Sequence, residues 1–168
     1  EPKNAKFGTD ISDAAIRAAV AEHNEVCRIL TEIGNMRKLK NPPVTGYEYH
    51  VLCLVSYCCP KKLILPHLRE TLEELKTREP DEKSPYRARI VIVGRFYPQS
   101  SHCPRYLARD KVPDRREFVY RLVKEYHADG VLYEALKFCE FWGYERPLAS
   151  HILTEEMGVP TVCVDRQY

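Results

Sequence analysis

Residues 128–165, ADGVLYEALKFCEFWGYERPLASHILTEEMGVPTVCVD, are the stretch that decides the fold. Its first apolar run, Val131–Leu136, and its last, residues 160–164, have the length and the β-branched content of buried strands. Between them, the pattern over residues 143–157 predicts a helix that ends at Gly158. Strand, helix and strand in this order predict a parallel βαβ unit with a right-handed crossover.

The sequence just before this stretch extends the same pattern. Residues 89–93, RIVIV, end at Gly94 and predict a further buried strand of a parallel sheet. Residues 96–114 contain three prolines and predict a loop, and residues 115–127 predict a helix with Gly130 at its C′ position. The predicted fold class is therefore α/β, with a parallel sheet and flanking helices.

The amino-terminal half has a helical pattern instead. Residues 11–40 predict one long helix, which Thr9 or Ser12 caps and the prolines of residues 41–43 stop. Residues 48–58 form an apolar run that fits a helix or a buried strand, and residues 62–78 predict a second amphipathic helix.

A polar, proline-bounded linker over residues 79–88 separates the two patterns. We therefore predict a helical connecting region over residues 1–80 and a parallel α/β domain over residues 81–168 that carries Cys103 and Cys139. The last residues read as a strand and the loop after it, so we expect the sequence to be a piece of a longer, multi-domain subunit.

Composition excludes several classes of protein. The 168 residues include 26 Lys+Arg and 24 Asp+Glu, and the formal net charge of +2 argues against a strongly basic nucleic-acid module. No apolar run approaches the roughly 20 residues of a membrane span. The sequence also lacks GxxxxGK[ST], GxGxxG, GxSxG and HExxH, so we do not expect the chain to hydrolyse ATP by itself.

The cysteines point to a reducing compartment and to a possible site. Their number, seven, is odd, which argues against a complete disulfide framework and for the cytoplasm. Cys103 follows the first predicted strand and Cys139 follows the second, where open parallel sheets bind ligands. A thiolate there gains from helix amino-terminal N–H groups and can bind metal. The alternative is that both are small buried side chains, which is the interpretation we favour for Cys27 and Cys163.

Other residues near these cysteines have two interpretations each. The aromatic residues around Cys139 are either core packing or a dry shell around a metal site. These aromatic residues are Phe138, Phe141, Trp142 and Tyr144. The basic stretch is either a solvated face or a contact for CoA phosphates or a partner subunit. It comprises Arg105, Arg109, Lys111, Arg115 and Arg116.

Residues 115–168 carry a pattern that resembles the carboxyl-terminal domain of the 2-hydroxyacyl-CoA dehydratase and benzoyl-CoA reductase family. The resemblance rests on Ala128-Asp129-Gly130-Val131, on Lys137-Phe138-Cys139-Glu140, on Gly158-Val159-Pro160 and on the ending Asp165-Arg166-Gln167-Tyr168. The amino-terminal half looks similar too, in the long helix and in residues 42–48, PPVTGYE.

The resemblance implies α/β domains of Rossmann or flavodoxin type and an iron–sulfur enzyme. Its cofactor would be a [4Fe-4S] cluster or a double cubane, and Cys139 matches the family's Phe-Cys ligand position. Cys103, in a Cys-Pro-Arg segment, is the second candidate ligand. The implied partners are a paralogous iron–sulfur subunit, an ATP-hydrolysing activator and ferredoxin, and the implied substrate is an acyl-CoA. No acid–base residue is assigned.

Four interpretations stay open at this point. Phe141-Trp142-Gly143-Tyr144-Glu145 and the Asp-Arg-Gln-Tyr ending look closer to the ring-reducing benzoyl-CoA reductase branch, which we take as the first hypothesis. The alternative is a 2-hydroxyacyl-CoA dehydratase subunit, and the rival from another class is a non-catalytic electron-transfer or scaffold subunit. An α/β domain with buried cysteines and no cluster is the simplest alternative.

Overall fold

The computed structural model describes residues 8–80, 88–94, 112–137 and 140–166. The helices are α1 Asp13–Met36, α2 Gly46–Cys58, α3 Lys61–Thr77, α4 Val112–Glu125 and α5 Glu140–Glu155. The strands are β1 Ile90–Val93, β2 Gly130–Leu136 and β3 Thr161–Arg166. The predicted α/β fold class is confirmed.

The chain divides into two compact units. The first comprises residues 1–37 and 42–80, and the second comprises residues 38–41 and 81–168. The functional division that we predicted, into a connecting region and a cysteine-bearing domain, stays a prediction.

Helices α1 and α3 form the core of the first unit. Apolar residues at i, i+3, i+4 and i+7 give each helix one buried stripe. The buried residues are Val26, Ile29, Leu30 and Ile33 of α1, with Ile64, Leu65, Leu68, Leu72 and Leu75 of α3. An ion pair between Arg69 and Glu25, with an N–O distance of 2.6 Å, joins the two helices outside this core.

Helix α1 is shorter than the predicted 11–40. Ser12 caps it as expected, since the Ser12 hydroxyl accepts a hydrogen bond from the backbone N–H of Ala15. The helix ends at Met36, well before the prolines, because Gly34 and Asn35 are poor helix formers in its last turn. A Cβ at Gly34 would lie 2.9 Å from the hydroxyl of Tyr49, so a side chain there would require Tyr49 to shift.

Helix α2 resolves the ambiguity of the apolar run 48–58. Thr45 and Glu48 form a capping box, in which the Thr45 hydroxyl accepts from the Glu48 N–H and the Glu48 carboxylate accepts from the Thr45 N–H. These bonds satisfy backbone donors at the start of a helix, so the run folds as a helix and not as a strand. The Glu48 carboxylate also pairs with Arg78, at 2.9 Å.

The second unit contains the parallel sheet that the sequence predicts. The strand order is β1-β2-β3, and β2 pairs in parallel with both neighbours. One face of the sheet packs against α4 and α5 around Val93, Val131, Tyr133, Val119 and Leu153. Strand β1 is less buried than predicted, with Ile90 49% exposed, because it is an outer strand of the described sheet.

Helix α4 differs from the prediction at both ends. It begins at Val112, within the predicted loop, and ends at Glu125. The left-handed residue after it is His127, with a φ of 49°, and not Gly130, which is the first residue of β2. The N–H of Ala128 donates to the carbonyl of Val123 in a Schellman motif, so His127 takes the place that glycine usually fills.

Arg89 holds residues 38–41 against the rest of the second unit. Its guanidinium donates to the carbonyls of Leu39, Lys40 and Tyr126, and its backbone N–H donates to the Asp129 carboxylate at 2.6 Å. Lys38 pairs with Glu125 at 2.7 Å. The predicted linker over 79–88 and the predicted loop over 96–114 lie largely outside the described residues.

Leu153 tests the α/β core. This side chain is fully buried between α5 and the sheet. We expect Leu153→Ala to lower the free energy of unfolding by about 2–5 kcal/mol, because it leaves a cavity. Leu148→Ala is the matched control on the same helix, since Leu148 is 45% exposed. Equal losses in urea unfolding of the two variants would contradict the packing described here.

The hydrogen bonds of the Glu48 carboxylate lead us to expect that the stability of the protein depends on pH. The Thr45 N–H, with the Thr45 hydroxyl and Arg78, holds the pKa of Glu48 below its usual range. A lowered pKa in the folded state stabilises the protein above the unfolded pKa, and this contribution disappears as the pH falls through the folded value. Because the side chain is 42% exposed, the effect is at most about 1 kcal/mol.

Glu48→Gln should therefore unfold at lower urea concentration than the wild type at neutral pH, and the difference should shrink as the pH falls below the ordinary range of a glutamate. Glu79→Gln, at an exposed residue after α3, is the control. A difference between wild type and Glu48→Gln that stays constant with pH would show that the carboxylate charge does not contribute.

Candidate functional site

The carboxyl ends of the three strands lie at one edge of the sheet, as parallel pairing requires. The strands end at Val93, Leu136 and Arg166, and we call this the carboxyl edge. Open parallel sheets bind their ligands at this edge, where the chain passes into the following helices. The carboxyl edge is therefore the candidate site of this unit.

The backbones of β1 and β2 approach each other closely at this edge. A Cβ on Gly94 would lie 3.2 Å from both the Cβ and the carbonyl oxygen of Glu134. A side chain at position 94 would therefore need these atoms of Glu134 to give way by a few tenths of an ångström. Glycine at this position lets the chain leave β1 in direct contact with its neighbour.

Glu134 places a carboxylate in an otherwise apolar strand. It alternates with Tyr133 and Ala135, which are buried, so it lies on the opposite face of the sheet. Its Oε2 atom is shielded from solvent. Glu134 is therefore a half-buried acidic side chain close to the carboxyl edge.

Arg146 and Asp165 tie α5 to β3 at the same edge. The guanidinium of Arg146 pairs with the carboxylate of Asp165. The Arg146 side chain is only 21% exposed and Asp165 is 71% exposed, so the pair extends from the protein to solvent. It fixes the position of α5 relative to the strand that follows it.

The two predicted ligands, Cys103 and Cys139, lie outside the described residues. In the sequence, Cys139 stands between Leu136, where β2 ends, and Glu140, where α5 begins. The side chains of the predicted aromatic shell also lie outside the described residues. Of the predicted basic stretch, only the side chain of Arg116, half-buried on α4, is described.

The five described cysteines are all free. Cys53 is buried, and burial raises the pKa of its thiol. Cys163 is exposed, so its assignment to the core was wrong; it is on β3, an outer strand with fewer neighbours. Cys27 is half-buried, and its Sγ atom lies 3.5 Å from Nε2 of His23.

The described residues do not by themselves provide a set of cluster ligands. Within residues 8–80, 88–94, 112–137 and 140–166, no three His, Cys, Asp or Glu side chains lie close enough together to hold a metal ion. A [4Fe-4S] cluster takes thiolate ligands, and the cysteines predicted to supply them are not among these residues. The described structure therefore leaves the cluster as a hypothesis.

Sequence reasoning missed three charged residues of the carboxyl edge. Glu134 could have been found, because an acidic residue within the apolar run VLYEAL is unusual for a buried strand. The pairing of Arg146 with Asp165 could not have been found in this way. The two residues are 19 positions apart in the sequence, and only the βαβ fold brings them together.

Two further findings bear on the class of protein. In the described part of the chain, no helix is long and apolar enough to cross a membrane. A comparison with curated proteins gives no significant match.

The comparison with family models does give a match. The model of the 2-hydroxyglutaryl-CoA dehydratase, D-component family matches residues 4–111 and residues 95–168. The two matches together span residues 4–168, which is nearly the whole chain. The family resemblance seen in the sequence is thereby confirmed. This chain belongs to the 2-hydroxyglutaryl-CoA dehydratase D-component family.

Proposed function

We propose that this chain is a subunit of a dehydratase that acts on 2-hydroxyacyl-CoA thioesters and that it binds an iron–sulfur cluster at its carboxyl edge. The observation that carries the proposal is the family match over residues 4–168. The family's description calls this protein the D-component, which indicates an enzyme of several components. We take the partners to be a paralogous iron–sulfur subunit, an ATP-hydrolysing activator and ferredoxin.

The proposed cluster ligands are Cys139 and Cys103. Cys139 follows β2 and precedes α5 in the sequence, a position that parallel sheets use for ligand binding. The amino-terminal end of a helix stabilises a thiolate by its partial positive charge. A [4Fe-4S] cluster, when bound, supplies single electrons at low potential.

The described residues support this site by fixing the elements around it. Arg146 and Asp165 hold α5 against β3, so the start of α5 has a defined position. Gly94 allows β1 and β2 to meet at the edge without a side chain between them. ATP enters only through the activator in this proposal, because the sequence has no phosphate-binding loop.

The proposed location is the cytoplasm. The support is the odd number of cysteines together with the absence of any disulfide among the five described ones. Thiols stay reduced in that compartment.

The substrate separates two candidate reactions. The family's description names a dehydratase and does not mention ring reduction. The second candidate, reduction of the benzoyl-CoA ring, is favoured by Phe141-Trp142-Gly143-Tyr144-Glu145, which resembles that branch. Dehydration converts a 2-hydroxyacyl-CoA into a 2-enoyl-CoA and water with no net electrons, whereas ring reduction consumes two electrons and two protons.

The assay uses the chain with its partner subunit and activator, under anaerobic conditions, with ATP and reduced ferredoxin. Separate reactions receive 2-hydroxyglutaryl-CoA or benzoyl-CoA, and mass spectrometry identifies the products. Formation of the enoyl-CoA without stoichiometric oxidation of ferredoxin would support the dehydratase. A dienoyl-CoA product with two electrons consumed would support the reductase, and neither product from a cluster-containing complex would support a non-catalytic subunit.

Cys139→Ala tests the assignment of the ligand. We expect this variant, purified anaerobically, to lose most of the visible sulfur-to-iron charge-transfer absorption, because a missing thiolate leaves one iron without its protein ligand. Cys163→Ala is the matched control, since Cys163 is exposed on β3 and its loss removes little packing. Equal absorption in the two variants would exclude Cys139 as a ligand.

A further inference from the structure

A histidine and a cysteine lie in contact on helix α1 of the first unit. Nε2 of His23 lies 3.5 Å from Sγ of Cys27. The two residues are four positions apart, so their side chains lie one turn apart on the same face of the helix. Neither residue has a role in the proposed function, which uses cysteines of the second unit. We call these two side chains the His23–Cys27 pair.

The separation of the two atoms is that of neighbouring ligands in a tetrahedral zinc site. Zinc binds a histidine nitrogen at about 2.1 Å and a thiolate sulfur at about 2.3 Å. At a tetrahedral angle, these bond lengths place the nitrogen and the sulfur about 3.6 Å apart. The observed 3.5 Å therefore lets one zinc ion bind both atoms with little movement of either side chain.

The core of the first unit fixes the turns of α1 that contain the pair. Val26 and Ile29, which flank Cys27 in the sequence, are only 2% and 1% exposed. Cys27 is half-buried and His23 is exposed, so the pair lies at the border between the core and solvent. A zinc ion can therefore reach two ligands that the helix already holds in place, and binding does not have to order the backbone first.

The neighbouring turns of α1 do not place a positive charge beside the pair. The positions three or four residues from His23 or Cys27 contain no lysine or arginine. They are occupied by Ala19, Val20, Asn24, Val26, Leu30 and Thr31. The Thr31 hydroxyl donates to the backbone carbonyl of Cys27 at 2.7 Å, so this hydrogen bond leaves the sulfur of Cys27 accessible to another group.

Water would fill the other positions of the ion. In the part of the chain that the structure describes, no group of three His, Cys, Asp or Glu side chains is placed to hold a metal ion. A zinc ion on the pair would therefore have two protein ligands, half the number of a structural zinc site. We expect a dissociation constant on the order of 10 µM, far weaker than that of a site with four protein ligands.

We propose that His23 and Cys27 bind a zinc ion that joins two successive turns of α1. On binding, the thiol of Cys27 releases its proton to solvent and the thiolate sulfur bonds to the ion, while the unprotonated Nε2 of His23 supplies the second bond. No electron is transferred. The site is independent of the proposed cluster, because it uses only residues of the first unit and neither iron nor sulfide.

Protection of Cys27 from alkylation tests the sulfur ligand. The full chain, freed of metal and kept reduced with a phosphine, reacts with iodoacetamide at rising zinc concentrations, and mass spectrometry of the peptides follows each cysteine separately. About 100 µM zinc should slow the alkylation of Cys27 about tenfold, because only the metal-free thiol reacts readily. Cys163 is the internal control, since it is exposed on β3 and its alkylation rate should not change.

His23→Ala tests the nitrogen ligand in the same assay. We expect zinc to give Cys27 almost no protection in this variant, which should fold because His23 is exposed. His67→Ala is the matched control, since His67 is an exposed histidine of α3 that contacts Glu70. Zinc should protect Cys27 in His67→Ala as it does in the wild type.

Nuclear magnetic resonance of the histidine ring protons gives a second measurement. Zinc should shift the ring signals of His23 in the wild type and leave them nearly unchanged in Cys27→Ser. Absence of protection of Cys27 up to about 1 mM zinc would overturn the proposal and reduce the contact to a hydrogen bond. Equal protection of Cys27 in His23→Ala and in the wild type would also overturn it, since the ion would then not need the histidine.

Discussion

Strand β2 pairs in parallel with β1 on one side and with β3 on the other, and this pairing sets the geometry of the second unit. Each parallel pair requires a crossover that returns the chain to the opposite end of the sheet, so the three strands end at one edge. The buried face of β2, with Val131 and Tyr133, anchors α4 and α5 against the sheet. This packing sets the position of the start of α5, which directly follows Cys139 in the sequence.

The first unit has a different physical basis. Its core is a helix pair, α1 with α3, and α2 packs against that pair with one face only. The capping box of Thr45 and Glu48, together with the pairing of Glu48 with Arg78, fixes the start of α2. The result is a helix with a well-defined beginning and with exposed apolar side chains, such as Tyr47 and Leu54, on the face turned away from the core.

Local signals in the sequence predicted most of the fold. The β-branched runs predicted all three strands, and Ser12 was one of the two expected caps of α1. Periodicity left residues 48–58 open between helix and strand, and the capping box of Thr45 and Glu48 in the structure decided for a helix. Predictions failed where long-range packing decides. His127 occupies the left-handed position that Gly130 was expected to fill, because Gly130 is already part of β2, where a Cβ would lie 3.2 Å from the carbonyl of Pro160. The candidate site shows the same contrast between local signals and long-range packing. The strand pattern predicted a site at the carboxyl edge, whereas the pairing of Arg146 with Asp165 is visible only in the folded chain.

The most direct test of the proposed cluster is the content of iron and acid-labile sulfide in the anaerobically purified wild-type chain. We expect iron and sulfide in equal amounts, at the ratio of one [4Fe-4S] cubane, or of a double cubane, per chain. A folded chain with neither iron nor sulfide, after anaerobic reconstitution with both, would contradict the assignment of Cys139 as a cluster ligand. The carboxyl edge would then be a parallel-sheet edge that binds no cluster.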